Sequence, residues 1–189
     1  MNSVGEAFAP LRSALEWAGI RYAIGGSWAS TAFGDARFTN DVDILADLNP
    51  ASLEQVLRVL PPTFYVDGDE ARHAVLSGRP FNIIYVPTAL KFDLFPARAF
   101  PLGLDELDRA VILADSGLSE MPIPFVTPED IVLAKLHWYS LGGEVSDVQW
   151  RDIRGVIQTR AATLDREYLQ IGAAKLGIEH LLHRAFSQI

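Results

Sequence analysis

The residues best suited to chemistry form two clusters in the first quarter of the chain. The first is Gly25-Gly26-Ser27, and 13 residues separate it from the second, Asp41-Val42-Asp43. Side chains alternate along a strand, so the two carboxylates of the second cluster would share one face and repel each other. Mg²⁺ prefers oxygen ligands of this kind and would relieve the repulsion. The glycines let a backbone turn approach a phosphate, which the start of a following helix can bind.

A third carboxylate lies in the segment Leu90-Lys91-Phe92-Asp93-Leu94-Phe95. Apolar residues alternate there with Lys91 and Asp93, which predicts a strand with Asp93 opposite the main apolar set. If this strand neighbours the one that carries Asp41 and Asp43, three carboxylates converge. Three carboxylates are enough for two Mg²⁺ ions, with the third acid placed to activate an attacking hydroxyl. A phosphate-binding turn beside such carboxylates suits phosphoryl or nucleotidyl transfer.

Short strands and amphipathic helices must position these residues. Apolar patterns predict strands at 22–24, 41–45, 64–66, 81–86, 90–95, 110–113 and 123–126, the fourth and fifth forming a hairpin. Helical spacing predicts helices at 4–18, 27–33, 53–60, 128–141, 147–157, 166–177 and 178–186. Ser27 is expected to cap the second helix, and Thr127, Ser146 and Asp165 later ones. We therefore predict an α/β (α+β) domain over 1–126, with a mixed sheet flanked by helices, and a small helical domain over 127–189.

Composition excludes several classes of protein. The 189 residues are 49% apolar and 21% charged, which excludes wholesale disorder. The absence of cysteine excludes disulfides, thiolate nucleophiles and Cys-ligated zinc. The net charge of −8 argues against a strongly basic nucleic-acid binder, and residues 1–127 carry 9 Lys/Arg against 16 Asp/Glu. No apolar run is long enough for a membrane span and no signal peptide is evident, so we expect a cytoplasmic protein without a membrane partner.

These motifs resemble the nucleotidyltransferase superfamily that includes DNA polymerase β. The matching residues are Gly25-Gly26-Ser27, Asp41-Val42-Asp43 and Asp93. Within that superfamily the sequence is most similar to the bacterial AbiEii-type toxin group, through the segments 22–26, 37–44, 127–130, 135–136 and 151–153. The resemblance implies the minimal nucleotidyltransferase fold and Mg²⁺-dependent transfer of a nucleoside monophosphate from an NTP, such as ATP, to an acceptor hydroxyl. In the toxin role the acceptor would be tRNA, with an antitoxin protein as partner.

The resemblance also implies roles for individual residues. Asp41 and Asp43 would bind metal, and Asp93 would be a metal ligand or base. Asp152 matches a second functional acid of the toxin group, so the third catalytic acid is Asp93 or Asp152, and we expect Asp93. The residues implied in phosphate and nucleotide binding are Gly25, Gly26, Ser27, Arg37 and Lys135.

Structural and functional alternatives remain open at this stage. Asp41 and Asp43 would also suit a solvated edge strand, and Asp152 would suit a surface pair with Arg151, Arg154 or Gln149. Lys135 would also suit plain exposure on its helix, and Arg37 a role in stabilising the turn. Among functions, an aminoglycoside or lincosamide nucleotidyltransferase fits the acidic balance, because its acceptor would be a small molecule and an aminoglycoside is cationic. A non-catalytic nucleotide-binding module of the same fold is the third alternative.

Overall fold

A computed structural model describes residues 4–35, 39–114, 116–119 and 121–188. Its strands are β1 Tyr22–Ile24, β2 Asp41–Ala46, β3 Phe64–Tyr65, β4 Phe81–Tyr85, β5 Leu90–Pro96, β6 Val111–Leu113 and β7 Ile123–Phe125. Its helices are α1 Val4–Trp17, α2 Gly26–Phe33, α3 Pro50–Val59, α4 Gly68–Ser77, α5 Gly103–Arg109, α6 Pro128–Leu141, α7 Asp147–Arg160, α8 Arg166–Leu176 and α9 Glu179–Ser187. A single 3₁₀ turn over Ala97–Ala99 follows β5.

Contacts divide the described residues into two compact units. The sheet unit contains the residues up to Ile24 and those from Thr39 to Phe125. The helical unit contains the residues from Gly25 that precede Thr39 and those from Val126 onward. Helix α2 therefore groups with the later helices, although it follows β1 directly in the chain. The predicted domain boundary near residue 126 stays a prediction.

The sheet unit is built on seven strands in the order β3-β4-β5-β2-β1-β7-β6. β2 pairs with β5 and β1 with β7 in parallel, while the remaining neighbours are antiparallel. The predicted hairpin of β4 and β5 is confirmed by their antiparallel pairing. The predicted mixed α/β fold is likewise confirmed.

One face of the central strands is buried against α1. Val42 and Ile44 of β2 and Phe92 of β5 are wholly buried on that face. Phe8 of α1 is also wholly buried, and its ring lies 6.0 Å from that of Phe92. Burying these side chains supplies the main stabilisation of the unit, at about 1.5–3 kcal/mol for each large apolar side chain. Strand alternation then directs the side chains of Asp41, Asp43, Lys91 and Asp93 to the opposite face.

The helical unit contains α2 and α6 to α9, and three of these helices, α6, α7 and α8, begin at the predicted caps. The side chains of Thr127, Ser146 and Asp165 accept hydrogen bonds from the first turns of α6, α7 and α8. Helix α2 packs on α6 and α7. Its end approaches α7 so closely that a Cβ on Gly34 would lie 2.9 Å from the backbone nitrogen of Val156.

Two helices were not predicted. α4 buries only Ala71 and Ala74, and α5 has seven residues and buries Gly103 and Leu107, so neither carries a strong apolar period. Within the described ranges, no helix combines the length and the apolar character needed to cross a membrane.

Candidate active site

The three predicted acids lie on neighbouring parallel strands of the sheet unit. Asp43 of β2 is the register partner of Asp93 of β5, and Asp41 is the partner of Lys91. Register partners in adjacent strands point to the same side of a sheet. The fold thus brings Asp41, Asp43 and Asp93 together on one face, as the alternation in the sequence predicts.

The carboxylate of Asp93 lies largely buried beside a lysine of its own strand. Its side chain is 15% exposed, and its Oδ2 lies 3.0 Å from the Nζ of Lys91. Its other oxygen, Oδ1, is buried and accepts no hydrogen bond from the residues that the structure describes. Burial raises the pKa of the Asp93 carboxyl, Lys91 lowers it in part through a hydrogen bond and its charge, and Asp41 raises it further.

All three carboxylates raise the pKa of the Lys91 ammonium. Its hydrogen bond with Asp93 raises the pKa of the ammonium, and partial burial opposes that rise. The charges of Asp93, Asp41 and Asp43 each raise the pKa further. The ammonium is therefore held charged on the carboxylate face, the surface that we define by Asp41, Asp43, Lys91 and Asp93. Sequence reasoning placed Lys91 beside Asp93 in the strand pattern but gave it no role.

Asp41 has a local partner as well. The hydroxyl of Thr39 donates a hydrogen bond to Oδ1 of Asp41, which fixes the carboxylate at the start of β2. Asn82 of β4 is the register partner of Asp93 and completes a row with Asp43 across three strands. Neither residue was among those predicted for the site.

The donor set of the carboxylate face fits a hard divalent cation. Its oxygens are carboxylate oxygens, and among the described residues no group donates a hydrogen bond to the buried Oδ1 of Asp93. In the conformation described, no three His, Asp or Glu side chains within the described ranges are arranged to ligate one ion. Lys91 contacts the carboxylate of Asp93, and Thr39 contacts that of Asp41.

The predicted phosphate turn opens α2 in the helical unit. Gly25 is the N-cap and makes no side-chain cap, so the expectation that Ser27 caps this helix is wrong. The reason is that the N-cap is Gly25, two residues before Ser27, so that Ser27 lies inside the first turn of the helix. Gly26 has a φ of 52°, a left-handed conformation that favours glycine. The first N–H groups of any α-helix lack intrahelical acceptors. The start of α2 is therefore suited to binding an anion.

Two further predicted residues meet in the helical unit. The Nζ of Lys135 in α6 donates to Oδ2 of Asp152 in α7 at 2.9 Å, and the two side chains are 12% and 6% exposed. Asp152 thus has Lys135 as a partner, one that the sequence reading had not considered for it. Arg37 lies outside the described residues.

The fold is that of nucleotidyltransferases. One similar solved structure is the solution structure of the antibiotic-resistance factor ANT(2'')-Ia, with a TM-score of 0.52, 17% identity, and coverage of 96% of this chain and 95% of the other. Another is an antigenic nucleotidyltransferase-like protein from Paracoccidioides brasiliensis, with a TM-score of 0.54, 20% identity, and coverage of 96% and 91%. No protein-family model matches the chain, and no curated protein matches it. The finer similarity to AbiEii-type toxins stays a prediction.

Proposed function

We propose that this protein is a Mg²⁺-dependent nucleotidyltransferase that moves a nucleoside monophosphate from an NTP to an acceptor hydroxyl. The observation that carries the proposal is the in-register pairing of Asp43 with Asp93, with Asp41 on the same face of β2. An acidic pair on the polar face of a strand is common on protein surfaces. A third acid that is aligned with the pair from a neighbouring strand, and whose side chain is only 15% exposed, is much less common.

The carboxylate face would hold the metal. Asp41, Asp43 and Asp93 are the proposed ligands, and a bound divalent cation would offset the negative charge that builds up on the triphosphate. Asp93 is also the proposed base, because burial raises the pKa of its carboxyl and so favours proton acceptance. In the reaction the acceptor oxygen bonds to the α-phosphorus, the bond to the β-phosphate breaks, and pyrophosphate leaves. The hydroxyl proton passes to Asp93.

The residues proposed for phosphate contacts are those of the predicted motif. Gly25, Gly26 and Ser27 supply backbone N–H groups at the start of α2. Lys135 adds a positive charge in the helical unit, where Asp152 orients its ammonium. Arg37 completes the proposed set by virtue of the sequence motif alone. Asp152 is accordingly assigned a positioning role, and Asp93 the role of third acid.

A label-transfer assay tests the proposed activity. The protein is incubated with each labelled NTP, Mg²⁺ and candidate acceptors, and pyrophosphate release is followed in parallel. Asp43→Asn is expected to lower transfer by at least about 100-fold, because loss of a metal ligand exceeds the usual loss from an outer partner. Asp69→Asn is the matched control, since this acid is 92% exposed on α4. Equal transfer by the wild type and Asp43→Asn would defeat the proposal.

The proposed acceptor is a tRNA, with an antitoxin protein as the partner that restrains the enzyme. Support comes from the resemblance of the motifs at 22–26, 37–44 and 127–130 to AbiEii-type toxins. Expression of the wild type, but not of Asp43→Asn, is then expected to arrest growth. Transfer of label to purified tRNA by the wild type alone would identify the acceptor directly.

A cationic antibiotic is the second candidate acceptor, and the charge distribution favours it. Residues 1–127 carry seven more acidic than basic residues, which attracts a polyamine and repels a polyanion. One of the structures with this fold is that of an antibiotic-resistance factor. Inhibition zones around aminoglycoside and lincosamide discs separate the two acceptors: resistance supports the antibiotic, and growth arrest supports the tRNA. Nucleotide binding by calorimetry without pyrophosphate release would instead indicate a non-catalytic module.

A further inference from the structure

Strand β4 extends the side of the sheet that carries the carboxylate face. Asn82 is the register partner of Asp93, and Ile84 is the register partner of Lys91. Ile83, which lies between them, is wholly buried and so marks the opposite face. The exposed side chain of Asn82 and the half-buried side chain of Ile84 therefore lie on the same side of the sheet as the carboxylate face.

Strand β3 adds an aromatic ring to this side. Tyr65 is the register partner of Ile84 and is 58% exposed. Phe64 before it is buried, and its ring centre lies 5.2 Å from that of Tyr85. Because side chains alternate along a strand, the ring of Tyr65 lies on the same side of the sheet as Asn82 and Ile84. We call these three residues the β3–β4 patch.

The order of the strands indicates which substrate this patch would meet. β5 lies between β2, which carries Asp41 and Asp43, and β4, which carries Asn82. In the proposed reaction, the metal and the triphosphate lie on the β2 side of Asp93. In-line attack requires the acceptor hydroxyl to approach from the side opposite the leaving pyrophosphate. A hydroxyl that gives its proton to Asp93 would then approach over β4.

The chemistry of the patch suits a sugar ring. Neighbouring strands are about 4.8 Å apart, so a ring that lies over β4 can reach both β5 and β3. The ring of Tyr65 and the side chain of Ile84 can cover the apolar C–H side of a sugar. The amide of Asn82 can both donate to and accept from its hydroxyl or amino groups. Strands β3 and β4 contain no charged residue, so they offer no cation to a phosphate group.

We infer that Asn82 and Tyr65 form the acceptor subsite, where they bind the sugar ring whose hydroxyl attacks the nucleotide. The inference rests on the proposed function and deepens it, because it assigns residues to the acceptor. Aminoglycosides, lincosamides and the 3′ end of tRNA all carry a hydroxylated sugar ring. Asn82 and Tyr65 bind this ring beside Asp93 and take no part in the proton transfer. On a merely solvated sheet face, neither side chain would affect the acceptor.

Separate KM values for the acceptor and the NTP test the inference. Label transfer by the full chain to kanamycin, lincomycin and purified tRNA is measured, and calorimetry gives the Kd of each acceptor without NTP. Tyr65→Ala is expected to raise the acceptor KM and Kd roughly tenfold, because the covering ring is lost. Asn82→Ala is expected to raise them roughly fivefold, because a hydrogen bond is lost. The NTP KM is expected to stay within about twofold of the wild-type value.

Two further variants serve as controls. Tyr65→Phe keeps the ring and is expected to keep the acceptor KM within about twofold of the wild-type value. Trp17→Ala removes another exposed aromatic ring, 62% exposed at the end of α1, and is expected to leave both KM values unchanged. Far-ultraviolet circular dichroism confirms that each variant is folded. The acceptor that the wild type labels identifies the source of the sugar ring.

The outcomes separate this inference from the function on which it rests. A wild-type acceptor KM and Kd in either alanine variant of the patch, or an equal rise in the NTP KM, would overturn the subsite even with label transfer intact. Weaker acceptor binding in both variants, without label transfer by the wild type, would support the subsite and overturn the nucleotidyltransferase proposal alone. A wild type that neither binds nor labels any of the three acceptors would overturn both.

Discussion

Two aspartates of the sheet unit have nearly the same side-chain exposure, but their pKa values shift in opposite directions. The side chain of Asp93 is 15% exposed and that of Asp47 is 14% exposed. Burial raises the pKa of Asp93, and Lys91 offsets only part of that rise. Burial acts on Asp47 in the same direction, but hydrogen bonds from Arg98 and Arg21 outweigh it and lower the pKa of that carboxyl. Two arginines contact the carboxylate of Asp47, whereas Asp93 has one lysine as a partner and the negative charge of Asp41 nearby.

The opposite shifts predict opposite effects of substitution on stability. A raised folded-state pKa means that the ionised form of Asp93 opposes folding, so its cost is present above the raised pKa and absent below the ordinary carboxyl range. Asp93→Asn is therefore expected to be more stable than the wild type at pH 7, with the gain fading as the pH falls through that window. Urea unfolding at pH 7 and in acid measures the difference.

Asp47 supplies the comparison for this measurement. Because its folded-state pKa is lowered, its ionised form stabilises the fold above the ordinary carboxyl range, and that contribution is lost as the pH falls through the lowered value. Asp47→Asn is expected to be less stable than the wild type at pH 7 and to converge with it in acid. A loss of stability at pH 7 in both variants would contradict the account of Asp93.

Alternation along β2 and β5 made the shared face of Asp41, Asp43 and Asp93 predictable, provided that the two strands were neighbours. The contact of Lys91 with Asp93 was not predictable, because a strand pattern gives the side of a long side chain but not the direction in which it reaches. Asp152 and Lys135 meet only when α6 and α7 are packed, so their 17-residue separation in the chain carried no signal of its own.

At the scale of elements, the sequence predicted the helix starts that depend only on a few neighbouring residues. The caps Thr127, Ser146 and Asp165 were predicted, because a cap depends on the three residues that follow it. α4 was missed although Asp67 accepts hydrogen bonds from Asp69 and Glu70 at its start. The buried side chains of this helix, Ala71 and Ala74, are small. The apolar pattern after the cap was therefore too weak to predict a helix.

The start of α2 yields a prediction about its two glycines. Gly26 has a φ of 52°, which an L-residue adopts at a cost of roughly 1–2 kcal/mol. Gly25 has a φ of −117°, and a Cβ added there would meet no atom within 4 Å. Gly26→Ala is thus expected to lower the free energy of unfolding by about that cost, and Gly25→Ala to change it little. Equal losses in a urea titration of the two variants would show that the left-handed turn is not what requires glycine.

The ion pair between α6 and α7 gives a second prediction at this scale. Lys135→Met would leave Asp152 buried without its ammonium, and breaking a buried pair in this way costs about 3–5 kcal/mol. Removing both charges, as in Lys135→Met with Asp152→Leu, is expected to recover most of that loss. Chemical denaturation of the two single variants and the double variant completes the cycle. Additive losses would mean that the two side chains do not act as a pair.

On the scale of the whole molecule, the order of elements in the chain and their grouping in space differ. Helix α2 lies between β1 and β2 in sequence, yet it packs on α6 and α7 in the helical unit. The close approach of Gly34 to Val156 records that packing. A reading along the chain groups neighbouring segments, so it assigned α2 to the first domain. Contacts between residues more than a hundred positions apart supply the information that such a reading lacks.

The net charge of −8 attracts cations and repels anions that approach the protein, and the strength of this effect depends on ionic strength. A cationic acceptor would be attracted over distances that salt shortens from about 30 Å at 0.01 M to about 10 Å at 0.1 M. For an aminoglycoside acceptor, kcat/KM measured from label transfer is therefore expected to fall as salt rises over this range. A lincosamide, with less positive charge, serves as the matched acceptor and should respond less. A kcat/KM that stays constant with salt would mean that the acidic surface does not guide the acceptor, and the charge argument for an antibiotic would lose its support.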